Sequence, residues 1–122
     1  MKFTRDAPTD LTIRQVERGR IRIGQATYES TLGLTVDQVV TDVEAVPVGE
    51  LRIAHLEVLL RSNPEVVIVG TGWQPAFADR ELLFALARRG IGLEVMDTPA
   101  ACRTFNILIG EGRRPAALMF ID

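Results

Sequence analysis

The feature that most constrains this chain is the unbroken apolar run Val66-Val67-Ile68-Val69, stopped by Gly70. A strand with one wet face alternates in polarity, whereas a continuous β-branched run suits a strand covered on both faces, as parallel strands are. The residues that follow supply the covering. Asp79 is placed to cap a helix over 79–89, with Leu82, Leu83, Leu86 and Ala87 as its stripe. Arg88 and Arg89 sit at its negative end, and Gly90 is its stop. Ile91-Gly92-Leu93-Glu94-Val95 reads as a second strand. Thr98-Pro99 then opens another helix, with threonine as cap and proline at the first helical position. Ala100, Ala101, Phe105, Leu108 and Ile109 give that helix an apolar side, Gly110 or Gly112 ends it, and Pro115 to Phe120 is the last strand. The order β-α-β-α-β means parallel pairing through right-handed crossovers.

The first part of the chain has a different period. Ile21 and Ile23 alternate with Arg20 and Arg22, and Gly24 turns the chain into a strand from Ala26 to Leu32 that Gly33 closes. Val36, Val39, Val40, Val43 and Val46 outline one more short strand. Residues 50–62 carry Leu51, Ile53, Ala54, Leu56, Val58, Leu59 and Leu60 among charges, which predicts a mostly buried helix ended by Asn63-Pro64. The expected fold class is α/β: an open, mostly parallel sheet with helices, preceded by an antiparallel β layer. With 122 residues, a single domain spanning 1–122 is expected, β-rich over 1–48 and β-α-β-α-β over 49–122.

Composition narrows the function classes. Hydrophobic residues at 47% and charged residues at 25% describe a globule with a core. A formal net charge of −2, with the arginines scattered, argues against nucleic acid or an anionic membrane as partner. The single cysteine, Cys102, excludes an internal disulfide framework and a Cys-rich zinc site, and the single histidine, His55, excludes His-pair metal motifs. The opening residues Met1-Lys2-Phe3-Thr4-Arg5-Asp6 lack the apolar run of a secretory signal, and Asp6, Pro8 and Asp10 interrupt any candidate. No apolar stretch approaches the ~20 residues that cross a bilayer. A cytoplasmic protein without membrane insertion is expected.

In an open parallel sheet, ligands gather beyond the carboxyl ends of the strands. Two segments fall there: Gly70-Thr71-Gly72-Trp73-Gln74-Pro75 and Met96-Asp97-Thr98-Pro99. If their strands are neighbours, the two loops face each other across a shallow crevice. Gly70 and Gly72 match the start of a dinucleotide fingerprint, but Pro75 stands at its third glycine and no Gly-Lys-Ser/Thr follows. The two glycines either allow a tight turn or present amides to a ligand. Trp73 packs a core or interface more readily than it stacks a cofactor. Free amides at the start of the Thr98 helix suit an anion, reinforced by Arg103, while the charge of Asp97 opposes a bare anion and suits acid/base work or a cation. The alternative is structural: Asp97 and Thr98 cap the helix, and Arg103 pairs with Asp97 or Glu111.

Candidate ligand-binding residues are therefore Gly70, Thr71, Gly72, Asp97, Thr98, Arg103 and Asn106. No catalytic set is assigned. Cys102 reads as a small buried thiol, because a nucleophile needs a base within reach and His55 belongs to a helix before the first parallel strand. His55 is expected on the solvent side of that helix. Glu81, Glu94 and Glu111 lie on separate elements, and no metal or cofactor is expected.

The run Val67 to Gly72, then Gly90 to Thr98, then Ala100-Ala101-Cys102-Arg103-Thr104-Phe105-Asn106, Glu111 to Arg114 and Ala116 to Leu118 resembles the Mth938-like proteins, a family built on a domain of unknown function. The resemblance covers nearly the whole chain and is closest to short proteobacterial members. It implies a three-layer α/β domain with no settled reaction or cofactor. The eukaryotic branch of that family includes a mitochondrial assembly factor for respiratory complex I and an adipogenesis-associated protein. The resemblance thus implies a non-catalytic interaction or assembly module with a protein partner in respiratory complex assembly; the alternative is a small-ligand-binding protein or enzyme at the sheet rim. Phe105 stands where many relatives have tyrosine, which removes any role resting on a phenolic hydroxyl. A homodimer through the antiparallel edges of the β-rich part is a further expectation.

Overall fold

A computed structural model describes residues 11–44 and 46–122; the reading of residues 1–10 as free of a signal lies outside them. Two sheets form. Strands β1 (Ile13–Glu17), β2 (Arg20–Ile23) and β3 (Ala26–Tyr28) make an antiparallel meander. Strands β4 (Leu32–Leu34), β5 (Val39–Val40), β6 (Val66–Thr71), β7 (Gly92–Met96) and β8 (Pro115–Phe120) make a second sheet in the order β5-β4-β8-β6-β7. The apolar run of β6 occupies its interior, parallel to both neighbours, with Ile68 opposite Glu94 on β7 and Ala117 on β8. Helices α1 (Glu57–Leu60), α2 (Arg80–Ala87) and α3 (Thr98–Gly110) complete the fold.

Alternation along the interior strands explains the layers. Ile68, Ala117 and Met119 point to one face, where they meet Phe105, Ala101 and Cys102 of α3 and Ile13, Ile21 and Ile23 of the small sheet. Val67, Val69, Ala116 and Leu118 point to the other, against Leu56, Leu59 and Leu60 near α1 and Leu82 and Leu86 of α2. Covering β6 on both faces is what its unbroken run demanded. Emptying one such position, as in Leu86→Ala, costs about 2–5 kcal/mol.

The structure corrects several expectations. The expected α/β class is what forms, with β7, β6 and β8 parallel and an antiparallel layer from the N-terminal strands; in detail, β4 and β5 leave that layer and extend the larger sheet antiparallel on β8. The strand expected from Ala26 to Leu32 breaks between β3 and β4, where the chain passes from one sheet to the other. Gly33 lies inside β4 instead of closing it: a Cβ there would stand 2.6 Å from a Leu59 methyl, so close helix packing requires glycine. Of the valines from 36 to 46, only Val39 and Val40 form a strand.

The helix expected over 50–62 shrinks to a 3-10 turn at Ile53–Leu56 followed by α1. A separate 3-10 turn covers Val48–Glu50, and the extended backbone of the buried Leu51 and of Arg52 parts it from the winding that resumes at Ile53. Asn63 takes φ 56 and ends it before Pro64. Asp79 and Gly90 perform as expected: the Asp79 carboxylate accepts the Glu81 N–H, and Gly90 adopts φ 75.

Candidate functional site

β6 and β7 are neighbours, so the loops that leave them share one rim, and hydrogen bonds join them directly. Thr98 is fully buried. Its hydroxyl accepts the Gly72 N–H at 2.8 Å and donates to the Phe120 carbonyl, while the Thr98 N–H donates to the Gly72 carbonyl at 2.9 Å. One side chain thus clamps the ends of β6, β7 and β8. The helix cap is Asp97, whose carboxylate accepts the Ala100 N–H at 2.8 Å, with Pro99 one place further in than expected. Thr98 was expected to cap; its hydroxyl serves the core because it faces the strands, while Asp97 faces solvent.

The glycines are explained by the same clamp. A Cβ on Gly70 would stand 2.8 Å from the Thr98 hydroxyl and 3.0 Å from the Met119 sulfur. Gly72 has φ 84, and a Cβ there would collide with the Asp122 carbonyl. The Thr71 hydroxyl donates to the Gln74 carbonyl at 2.8 Å, closing the loop. The Gly72 and Thr98 amides are therefore spent inside the protein.

The seven candidate residues fall in two places. Gly70, Thr71, Gly72, Asp97 and Thr98 share the rim. Asn106 and Arg103 lie further along α3, beside a hollow of about 170 Å³ lined also by Ile13, Gln15, Pro99 and Cys102. Asn106 acts there as a surrogate strand: its carbonyl oxygen accepts the Ile13 N–H at 3.1 Å and its amide donates to the Ile13 carbonyl at 3.0 Å. That pair pins β1 onto α3. Arg103 is exposed and makes no ion pair among the described residues, so its expected pairing with Asp97 or Glu111 does not form.

Along the rim runs a cleft of about 430 Å³ lined by Thr71, Trp73, Ala76, Phe77, Met96 and Asp97, with Pro75 and Val95. Its one carboxylate is already a helix cap. Trp73 packs against the α3-side core, while Phe77 stands 86% exposed. Phe77 was missed in the sequence; the signal was a bulky apolar residue between Pro75 and the cap Asp79, outside any periodic element.

The reactive groups stay apart. Burial pushes the Cys102 thiol up to about 12, opposed in part by the Arg103 charge, so it is protonated at neutral pH. His55 lies on the α1 side of the sheet and Cys102 on the α3 side. His55 is not a solvent-side residue: its side chain is 20% exposed, and its Nδ1 accepts the Arg52 N–H at 2.9 Å in a capping box. The rim thus offers a shaped surface and hydrogen-bonded scaffolding, with no nucleophile and base in contact.

A family model described as "Protein of unknown function (DUF498/DUF598)" matches residues 13–120. The chain is 25% identical over 107 residues to the "13 kDa major membrane protein" of Francisella tularensis, covering 87% of each. It is 46% identical over 61 residues to the human "NADH dehydrogenase [ubiquinone] 1 alpha subcomplex assembly factor 3". That match takes in 50% of this chain but only 33% of the human protein. Among solved structures, a Bordetella pertussis protein described as a Mth938-like domain superposes with a TM-score of 0.78 at 27% identity, covering 100% of this chain and 93% of that one.

Proposed function

This chain belongs to the DUF498/DUF598 family and has the Mth938-like fold, and from that we propose that it is a non-catalytic interaction module that holds a protein partner during assembly of a larger complex. The observation that carries this reading is the contrast at the sheet rim. The Gly72 and Thr98 amides are held in the Thr98 clamp, the Thr71 hydroxyl by the Gln74 carbonyl and the Asp97 carboxylate by its cap, while the large apolar side chain of Phe77 is turned outward. Such a surface binds rather than reacts. The relatedness to a complex I assembly factor suggests respiratory assembly as the setting, although the matched segment is a third of that protein.

Among the described residues no helix is long and apolar enough to cross a membrane. We place the protein in the cytoplasm, where the buried Cys102 thiol stays reduced. The name of the Francisella relative makes attachment to a membrane-bound complex a consistent setting for the same role. The outer edge of β3 also offers a route to a homodimer, which sedimentation equilibrium reads directly.

Tagged chain, purified gently from its own cells, is expected to carry one protein partner near equal stoichiometry. Recovery of the chain without a partner overturns the reading. The second reading is a small ligand held at the rim by Gly70, Thr71, Gly72, Asp97 and Thr98, with Arg103 and Asn106 beyond it. It is favoured by the cleft beside Thr71 and Asp97. Melting against a metabolite and metal panel tests it, since a ligand at 100 times its dissociation constant adds about 2.7 kcal/mol.

A further inference from the structure

An eight-residue helix in an α/β layer normally turns one side inward and a polar side outward. α2 departs from that rule. Leu82 and Leu86 are buried as expected, but the outward side carries Leu83 at 44% exposure and Phe84 at 47%. Phe77, in the loop just before the helix, adds a third large apolar side chain. At the two ends of this stripe stand Arg80 and Arg88, both exposed, eight residues or about 12 Å apart along the helix. Neither makes an ion pair among the described residues. Arg89, just past the helix end, is already paired with Glu57 at 3.1 Å, and Asp79 is taken by its cap and by Arg52 at 3.6 Å.

The charges decide what can cover the stripe. A second copy is disfavoured: an antiparallel two-fold centred on Phe84 would set Arg80 of one copy against Arg88 of the other, twice over. An anionic bilayer is a broad negative sheet that repels every acidic group around the helix, Glu81 among them, whereas a peptide helix can set its carboxylates opposite the arginines alone. A partner carrying carboxylates seven or eight residues apart on a helix, with apolar residues between them, matches both the spacing and the sign. We propose that the outward face of α2, extended by Phe77, docks an acidic amphipathic helix of the partner protein. Apolar residues of that helix cover Phe77, Leu83 and Phe84, and its carboxylates meet Arg80 and Arg88. Arginine and aromatic residues at the centre of a patch are the usual anchors of such contacts. This inference rests on the interaction-module reading and names its surface.

The probe is a synthetic 18-residue amphipathic peptide with leucines on one face and two glutamates eight residues apart, compared with the same peptide carrying lysines. Fluorescence anisotropy with the full chain is expected to show the glutamate peptide binding about tenfold tighter. The double variant Arg80→Glu/Arg88→Glu reverses that preference, and Arg22→Glu on the distant small sheet leaves it unchanged. Equal affinity for both peptides, or none for either, overturns the proposal. So does sedimentation of the chain with phosphatidylglycerol vesicles that the double variant abolishes, which would assign the face to a lipid surface. Partner purification with the double variant separates the two levels: a partner retained in full means the α2 face is wrong while the module reading stands. Absence of a partner on the wild-type chain overturns the module reading itself.

Discussion

Replacing Thr98 by valine keeps the shape of the side chain and deletes only the hydroxyl. In the folded protein the Gly72 N–H then loses its acceptor in a buried site, at a cost of about 1–3 kcal/mol. The bond to the Phe120 carbonyl is lost as well, worth about 0.5–1.5 kcal/mol. The sum, about 1.5–4.5 kcal/mol, is a large share of the ~5–15 kcal/mol that holds a domain together. At about 3–5 °C per kcal/mol for a chain of this size, the melting temperature drops by roughly 10 °C. Thr98→Ser is the control: it retains the hydroxyl, loses one methyl, and costs about 1 kcal/mol. Thermal melting followed by circular dichroism, with urea midpoints as a check, reads both variants. A valine variant that melts within about 2 °C of wild type, or a serine variant that falls further than valine, refutes the clamp.

The same geometry sets other outcomes. Gly70→Ala forces a Cβ against the Thr98 hydroxyl and the Met119 sulfur, and is expected to lower stability by about 1–3 kcal/mol in a urea titration. Asp97→Asn keeps a competent cap and leaves the melting temperature nearly unchanged, whereas Asp97→Ala costs about 1 kcal/mol. Cys102 resists a thiol reagent at pH 8 until denaturant is added; because folding raises its pKa, stability is full below the ordinary value of 9.0 and is lost as pH climbs toward about 12. At the acid end, the Arg114 N–H and then Arg113 hold Glu65 low, and Arg89 holds Glu57 low. Their stabilisation is present above the usual 4.5 and is lost as pH falls from there through the lower folded values, so this contribution to the melting temperature declines below about pH 4.5.

Features with local causes were legible in the sequence. The run of β6, the cap Asp79, the stop Gly90 and the parallel order each follow from a few adjacent residues, and together they bring the two loops to one rim. Features set by distant partners were not. Asp97 and Thr98 are both capable caps, and only the position of Phe120 and Gly72 decides which one turns inward. Asn106 pairs with Ile13, 93 residues away, so its spacing along α3 suggested a ligand contact where the structure has a strand anchor. Gly33 looks like a strand end until Leu59 is seen above it. The helix over 50–62 is interrupted by extended backbone at Leu51 and Arg52, which periodicity alone does not register. Leu83 belonged to the expected stripe and Phe77 to no periodic element; the exposure of both is a property of the packed layer.

The most direct measurement is complex assembly in cells that lack this chain, resolved on native gels. The expected result is the loss of one high-mass complex, restored by the wild-type chain and left unrestored by the Arg80→Glu/Arg88→Glu variant. Normal assembly of every complex in the deleted cells, with a metabolite accumulating instead, would contradict an interaction module and point back to chemistry at the rim.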